Sequence, residues 1–102
     1  MKKILIVDDE PNIVMTLEYT FKKSNYEVFI ARDGQEALDI LKTNFPDVII
    51  LDIMMPMVDG FATLVQIRKD DNLQHTKVMF LSAKNKESDI EKGLALGADA
   101  YM

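Results

Sequence analysis

Short apolar segments alternate with longer amphipathic ones along this chain, and that alternation constrains the fold more than any other feature. Each apolar segment is continuous and only a few residues long, which is typical of strands buried on both faces of a parallel sheet. Four such segments are ILIV (4–7), EVFIA (27–31), DVIIL (47–51) and KVMFLSA (77–83), and a fifth, AYM (100–102), begins in the same way. The pattern therefore predicts five strands.

Four amphipathic stretches lie between these segments, and each carries apolar residues at helical spacing. The stripes are Ile13, Val14, Leu17 and Phe21 in the first, Ala37, Leu38 and Leu41 in the second, Phe61, Leu64 and Ile67 in the third, and Ile90, Leu94 and Ala95 in the fourth. Such alternation forms a parallel sheet covered by helices on both faces, because right-handed crossovers return every strand in the same direction. The 102 residues, 48% of them hydrophobic, suffice for one core only, so we expect a single α/β domain.

Composition excludes several classes of protein. The chain contains no cysteine, which excludes disulfides and thiolate metal sites. Its longest apolar runs fall far short of the ~18 to 20 residues that cross a bilayer, and the start lacks a signal-peptide core. With a net charge of -5 and scattered basic residues, the chain has no basic stripe for a phosphate backbone. We therefore expect a cytoplasmic protein that binds neither membranes nor nucleic acid through this chain.

Acidic residues follow the first and third predicted strands. Asp8, Asp9 and Glu10 come directly after the first strand, and Asp52 comes directly after the third. The carboxyl ends of parallel strands share one edge of the sheet, and open α/β sheets bind ligands in the crevice there. If the first and third strands are neighbours, Asp9 and Asp52 are expected to flank that crevice. Ser82 is expected at the same edge, at the end of the fourth strand.

Taken singly, these acids have a simpler interpretation. Acidic residues before Pro11 suit the start of a helix, and we interpret Glu10 in this way, while Asp52 alone could be a turn residue. Taken together, two carboxylates held ~4 Å apart repel by ~4 kcal/mol at an effective dielectric of ~20. A fold that gathers them needs a compensating cation. Mg²⁺ is the natural candidate, because it binds through one or two carboxylates and retains water molecules.

Four motifs, in order along the chain, carry a family resemblance: ILIVDDE, DVIILDIMMPMVDG, FLSA and GADAYM. Together they resemble the receiver domain of two-component response regulators. The resemblance covers the whole chain, residues 1–102, and implies a flavodoxin-like, doubly wound parallel sheet of five strands in the order 2-1-3-4-5. It also implies a phosphorylated signalling switch rather than a conventional enzyme.

The resemblance further implies the roles of the residues at the predicted edge. Asp52 would be the phosphoacceptor, taking a phosphoryl group from a sensor histidine kinase, a phosphotransfer protein or a small acyl phosphate. Asp9 and Asp52 would bind Mg²⁺ directly, Asp8 mainly through a water molecule, and Met54 through its backbone carbonyl.

Two further residues would carry the signal. In the family pattern, Ser82 donates its hydroxyl to the new phosphoryl group and Tyr101 is the switch aromatic. A downstream effector protein or output domain would then read the changed face near the fourth helix. On local evidence alone, the favoured interpretations are a turn hydroxyl for Ser82 and half-buried packing of the sheet for Tyr101.

Two other functions stay open. One is a Mg²⁺-dependent phosphatase with an aspartyl-phosphate intermediate, although such enzymes usually carry a second acid where this chain has Met54. The other is a binding module of the same fold that is never phosphorylated. The lone histidine, His75, has no second ligand near it in the sequence and is interpreted as solvated surface.

The family pattern continues after AYM with a Lys-Pro pair and a last helix, whereas this sequence ends at Met102. We therefore expect a receiver domain truncated at the fifth strand. The apolar stripe of the first helix would then be partly uncovered, and self-association through that side is expected.

Overall fold

The computed structural model describes residues 2–52, 60–81 and 100–101. The strands in these ranges are β1 (Lys3–Val7), β2 (Glu27–Ala31), β3 (Val48–Asp52), β4 (Lys77–Leu81) and β5 (Ala100–Tyr101). The helices are α1 (Pro11–Lys23), α2 (Gly34–Leu41), α3 (Gly60–Lys69) and a short 3-10 helix (Asp71–Leu73). The predicted helix with the stripe Ile90, Leu94 and Ala95 lies outside the described residues.

The strands form one parallel sheet in the order β2-β1-β3-β4-β5, which confirms the predicted order. One row of paired residues crosses all five strands. It consists of Ala31, Val7, Leu51, Phe80 and Tyr101. The residues that follow this row on β1, β3 and β4 form the carboxyl edge of the sheet. The pairing in the row therefore determines which residues are neighbours at that edge.

The prediction that Asp52 follows the third strand was wrong by one residue. Asp52 is the last residue of β3, because its backbone continues the ladder with β4 and pairs with Leu81. The strand correspondingly begins at Val48, not at Asp47. The register with β4 therefore includes Asp52 in the sheet.

One face of the sheet packs against α2 and α3 to form the main core. Alternate strand residues contribute to it, as the two-residue period of a strand requires. The core cluster contains Leu5, Val7, Ala31, Ile49, Leu51, Val78 and Phe80 from the sheet, Ala37 and Leu41 from α2, Leu64 and Ile67 from α3, and Leu73 from the 3-10 helix. The buried residues Ile4, Ile6 and Ile50 alternate with these and belong to the opposite face.

Helix α1 contacts β1 and β2 and is amphipathic as predicted. Its stripe residues Ile13, Val14, Leu17 and Phe21 are all partly buried. By contrast, Met15 and Tyr19 are 66% and 68% exposed. The expected self-association through this helix stays a prediction.

No helix in the described ranges has the length and apolar character needed to cross a membrane.

Candidate functional site

Asp8 stands at the carboxyl end of β1 and is only 1% exposed. Its backbone N–H donates to the carbonyl of Ala31 (3.0 Å), which extends the ladder with β2 one residue beyond the strand. Its Oδ1 accepts a hydrogen bond from the backbone N–H of Glu10 (2.9 Å). This bond to the residue two positions on closes an Asx turn, which directs the chain from the sheet into α1. Asp8 is thus fixed by both its backbone and its side chain.

The three consecutive acids have three different environments. Glu10 is the N-cap of α1, with its Oε1 accepting from the backbone N–H of Asn12 (3.2 Å), and Pro11 is the first helical residue. This confirms the interpretation of Glu10 as a helix-start charge. Asp9, between the buried and the capping residue, is exposed. The helix start therefore accounts for Glu10 and leaves Asp8 and Asp9 for another role.

The sheet register places Asp52 beside Asp8. Val7 of β1 pairs with Leu51 of β3, so the residues that follow them occupy the same position on neighbouring strands. Neighbouring strands lie ~4.8 Å apart. The first and third strands are thus neighbours, and the backbone of Asp52 is adjacent to the buried Asp8 at the carboxyl edge, whereas the sequence-based prediction paired Asp52 with Asp9.

The other predicted site residues are placed less fully. Leu81 pairs with Asp52 and immediately precedes Ser82 in the sequence, but Ser82 and Met54 both lie outside the described residues. The backbone of Tyr101 belongs to β5 and pairs with Phe80. The structure thus brings Asp8, Asp9 and the backbone of Asp52 to one edge of the sheet.

A cleft of about 400 Å³ opens beside the two acids. Its lining residues come from the end of β1, the first turns of α1 and the end of β2. They are Asp8, Asp9, Pro11, Val14, Met15, Ile30 and Arg32. Arg32 is a charged lining residue that the sequence reasoning missed. It directly follows the last residue of β2, so the same strand-end argument that located Asp8 and Asp52 could have found it.

The donor atoms at this edge suit a hard divalent cation. Asp8 and Asp9 offer only carboxylate oxygens, one from a buried and one from an exposed side chain, and both line the cleft. Mg²⁺ commonly uses one or two carboxylates and completes its shell with water or phosphate oxygens. Among the described residues no group of three or more His, Cys, Asp or Glu side chains could hold a metal ion. Two carboxylates are fewer ligands than Mg²⁺ requires, so a cation held by this pair would need further oxygen ligands.

Substitutions of Asp8 test the turn that it closes. Asp8→Ala leaves the N–H of Glu10 without its acceptor, whereas Asp8→Asn keeps an oxygen at the same position. We expect the Ala variant to be less stable than the Asn variant by ~0.5–1.5 kcal/mol, the net contribution of a typical hydrogen bond. Urea denaturation in the presence of a chelator measures the difference. Equal stability of the two variants would show that the bond contributes nothing to the turn.

The comparisons with known proteins agree with this fold. Residues 4–102 match the response regulator receiver domain family, and the chain belongs to that family. It is 46% identical over 101 residues to the alkaline phosphatase synthesis transcriptional regulatory protein PhoP of Bacillus subtilis. That match covers 99% of this chain and 41% of PhoP, so the chain spans less than half the length of this curated relative.

Solved structures of receiver domains superimpose closely. The chemotaxis protein CheY4 of Vibrio cholerae has a TM-score of 0.95 at 32% identity, covering 100% of this chain and 85% of that one. The phosphorylated cyanobacterial phytochrome response regulator RcpA has a TM-score of 0.92 at 31% identity, covering 99% and 79%. The receiver domain of the sensor histidine kinase PA1611 of Pseudomonas aeruginosa, with magnesium coordinated in its active-site cleft, has a TM-score of 0.90 at 27% identity, covering 99% and 83%. The chain is a receiver domain of the two-component type, as its motifs predict.

Proposed function

We propose that Asp52 is the phosphoacceptor of this receiver domain and that its phosphorylation depends on Mg²⁺. The observation that carries the proposal is the pairing of Val7 with Leu51, which sets the backbone of Asp52 beside the buried, braced Asp8. Two similar structures support it, because RcpA is phosphorylated and the PA1611 receiver domain holds magnesium in its active-site cleft.

The reaction is a phosphoryl transfer to a carboxylate. A bond forms between a carboxylate oxygen of Asp52 and phosphorus, while the P–N bond of a phosphohistidine or the P–O bond of an acyl phosphate breaks. The departing imidazole or carboxylate keeps the electron pair. Such transfers need alignment and charge neutralisation more than covalent activation. We propose a sensor histidine kinase or a phosphotransfer protein as the physiological donor, and hence a cytoplasmic location.

The proposed Mg²⁺ ligands are Asp8, Asp9, Asp52 and the backbone carbonyl of Met54, with Asp8 acting mainly through a water molecule. Bound there, Mg²⁺ would neutralise the carboxylates and the incoming phosphoryl oxygens. The Asx turn holds the carboxylate of Asp8 in one position, so this proposed ligand is preorganised in the metal-free protein. The exposed Asp9 borders the cleft, where solvent and a donor can approach.

The signalling output follows the family pattern. We propose that Ser82 donates its hydroxyl to the phosphoryl group and that Tyr101 responds to the movement of that segment. A downstream effector protein or output domain would then bind the altered face. The residue at the position of a phosphatase's second acid is Met54, which disfavours a dedicated phosphatase.

Incubation of the 102-residue chain with a small acyl phosphate tests the proposed reaction. With Mg²⁺ present, the intact mass is expected to increase by one phosphoryl group, and with a chelator present labelling is expected to be far slower. The comparison isolates the cation's contribution, since donor and protein are the same in both samples. Labelling at equal rates in the two samples would contradict a metal-dependent transfer.

Thermal unfolding tests the cation site independently of the reaction. Mg²⁺ should raise the melting temperature of the wild type, because a ligand at ~100 times its Kd stabilises the folded state by ~2.7 kcal/mol. Asp9→Ala removes a proposed ligand and a like charge, so we expect a variant that no longer responds to Mg²⁺ and is at least as stable as wild type without it. Asp71→Ala, which removes an exposed acid from the 3-10 helix, is the matched control and should respond normally. An Asp9→Ala variant that responds like the wild type would remove Asp9 from the site.

A further inference from the structure

We propose that Arg32 is a built-in counter-charge for the acid pair Asp8 and Asp9, and that it sets the affinity of the site by competing electrostatically with the divalent cation. The inference rests on the proposed cation site and assigns a positioning role to the residue directly after β2, which the reaction itself does not require. Arg32 would neutralise part of the acidic charge when the metal is absent. It would oppose the arrival of a second positive charge.

The sheet places Arg32 beside Asp8. Ala31, the last residue of β2, pairs with Val7, and the N–H of Asp8 donates to the carbonyl of Ala31 at 3.0 Å. Arg32 therefore starts one strand away from Asp8, on the side of β1 opposite to Asp52. Both acids and Arg32 line the same 400 Å³ cleft. The strand order itself thus sets a cation at one side of the acids and the proposed phosphoacceptor at the other.

Two bonds from backbone N–H groups to side chains fix the backbone from which the Arg32 side chain extends. Oδ1 of Asp33, the N-cap of α2, accepts from the N–H of Glu36 (2.8 Å). Oε1 of Glu36 accepts in turn from the N–H of Arg32 (3.4 Å). The arrangement is similar to a capping box, except that Glu36 accepts from the residue before the N-cap and not from the N-cap itself. The two acids closest to Arg32 in sequence are thus engaged with backbone N–H groups.

In the part of the chain that the structure describes, the guanidinium of Arg32 is within ion-pair distance of no carboxylate, those of Asp8 and Asp9 included, so the proposed effect acts across the cleft and not by direct contact. Its side chain is exposed, so it can move within the cleft. Arginine stays protonated at every physiological pH, so its charge is constant. The acids that line the cleft with it are Asp8 and Asp9.

The size of the effect follows from Coulomb's law. Two strand spacings, about 10 Å, separate the positions of Arg32 and Asp52. We take this as the distance between the charge of Arg32 and the cation. At that distance, and with the dielectric constant of water, a unit charge weakens the binding of a divalent cation by about fourfold. Removing the charge should therefore tighten binding by about that factor at low ionic strength.

Titration calorimetry with Mg²⁺ alone, at low ionic strength, measures this effect in a graded series. Arg32→Lys keeps the charge and should bind like the wild type, Arg32→Gln should bind about fourfold more tightly, and Arg32→Glu more tightly again. Lys77→Gln removes an exposed positive charge at the opposite end of the strands and should leave the affinity unchanged. The difference between wild type and Arg32→Gln should nearly vanish at ~1 M salt, where the Debye length is ~3 Å.

Thermal unfolding in a chelator supplies a second readout. Arg32→Gln should have a lower melting temperature than the wild type, and Arg32→Lys should have the same melting temperature as the wild type. The reason is that the positive charge at position 32 is what offsets the repulsion between Asp8 and Asp9. Unchanged or weaker Mg²⁺ binding by Arg32→Gln, with normal binding by the wild type, would overturn the inference and leave the proposed function standing. A wild type that binds no Mg²⁺ would overturn both.

Discussion

Asp52→Asn is expected to abolish the Mg²⁺-dependent incorporation of a phosphoryl group. The amide that replaces the carboxylate carries no negative charge and is a far poorer nucleophile toward phosphorus. Its backbone can keep the pairing with Leu81, so the sheet should be retained. Intact mass after incubation with an acyl phosphate and Mg²⁺ measures the incorporation, and the wild type is labelled in parallel.

Asp71→Asn is the matched control, because it makes the same chemical change at an exposed acid of the 3-10 helix. It should be labelled as fast as the wild type. The melting temperature of Asp52→Asn in a chelator should equal or exceed that of the wild type, since one of the neighbouring acids is neutralised. A variant that is folded and still labelled at the wild-type rate would remove Asp52 from its proposed role.

Phe80→Ala is expected to have the largest effect on stability. The Phe80 side chain is fully buried in the core cluster, in the row of the sheet just below the carboxyl edge. Truncating a buried phenylalanine costs ~3–5 kcal/mol, through lost burial and the cavity that remains. That loss is a large part of the ~5–15 kcal/mol by which small domains are stable, so Phe80→Ala should be close to unfolding at 37 °C.

Urea denaturation measures that loss against a surface control. Met15→Ala changes a large apolar side chain that is 66% exposed, and its stability should stay within ~0.5 kcal/mol of the wild type. A Phe80→Ala variant that is as stable as Met15→Ala would mean that the core beneath the site is packed differently from the structure described here.

The first four strands could be predicted from the sequence because each is a continuous apolar run with polar residues on both sides. Local pattern alone did not order them, since alternation of strands and helices specifies a parallel sheet and leaves the lateral arrangement open. The order 2-1-3-4-5 came from the family motifs. The end of β3 was misplaced because Asp52, an acid, extends the ladder only through its pairing with Leu81.

The different roles of Asp8, Asp9 and Glu10 could be predicted from the sequence only in part. Pro11 in the sequence indicates where the helix begins, and so identifies Glu10 as its cap. Nothing in the local sequence distinguishes Asp8 from Asp9, because the position of Asp8 depends on the sheet, where its N–H bonds to Ala31 on a strand more than twenty positions away. The strand-end argument could have placed Arg32 at the same edge, but its position next to Asp8 depends on the pairing of β2 with β1.

Borohydride trapping tests the central claim, that Asp52 carries the phosphoryl group, most directly. Borohydride reduces an acyl phosphate to the alcohol, so a phosphorylated aspartate becomes homoserine, which peptide mass spectrometry locates in the sequence. After incubation with an acyl phosphate and Mg²⁺, the account predicts homoserine at position 52 and intact aspartate at positions 8 and 9. Homoserine at another aspartate, or at none while the chain gains phosphate elsewhere, would contradict it.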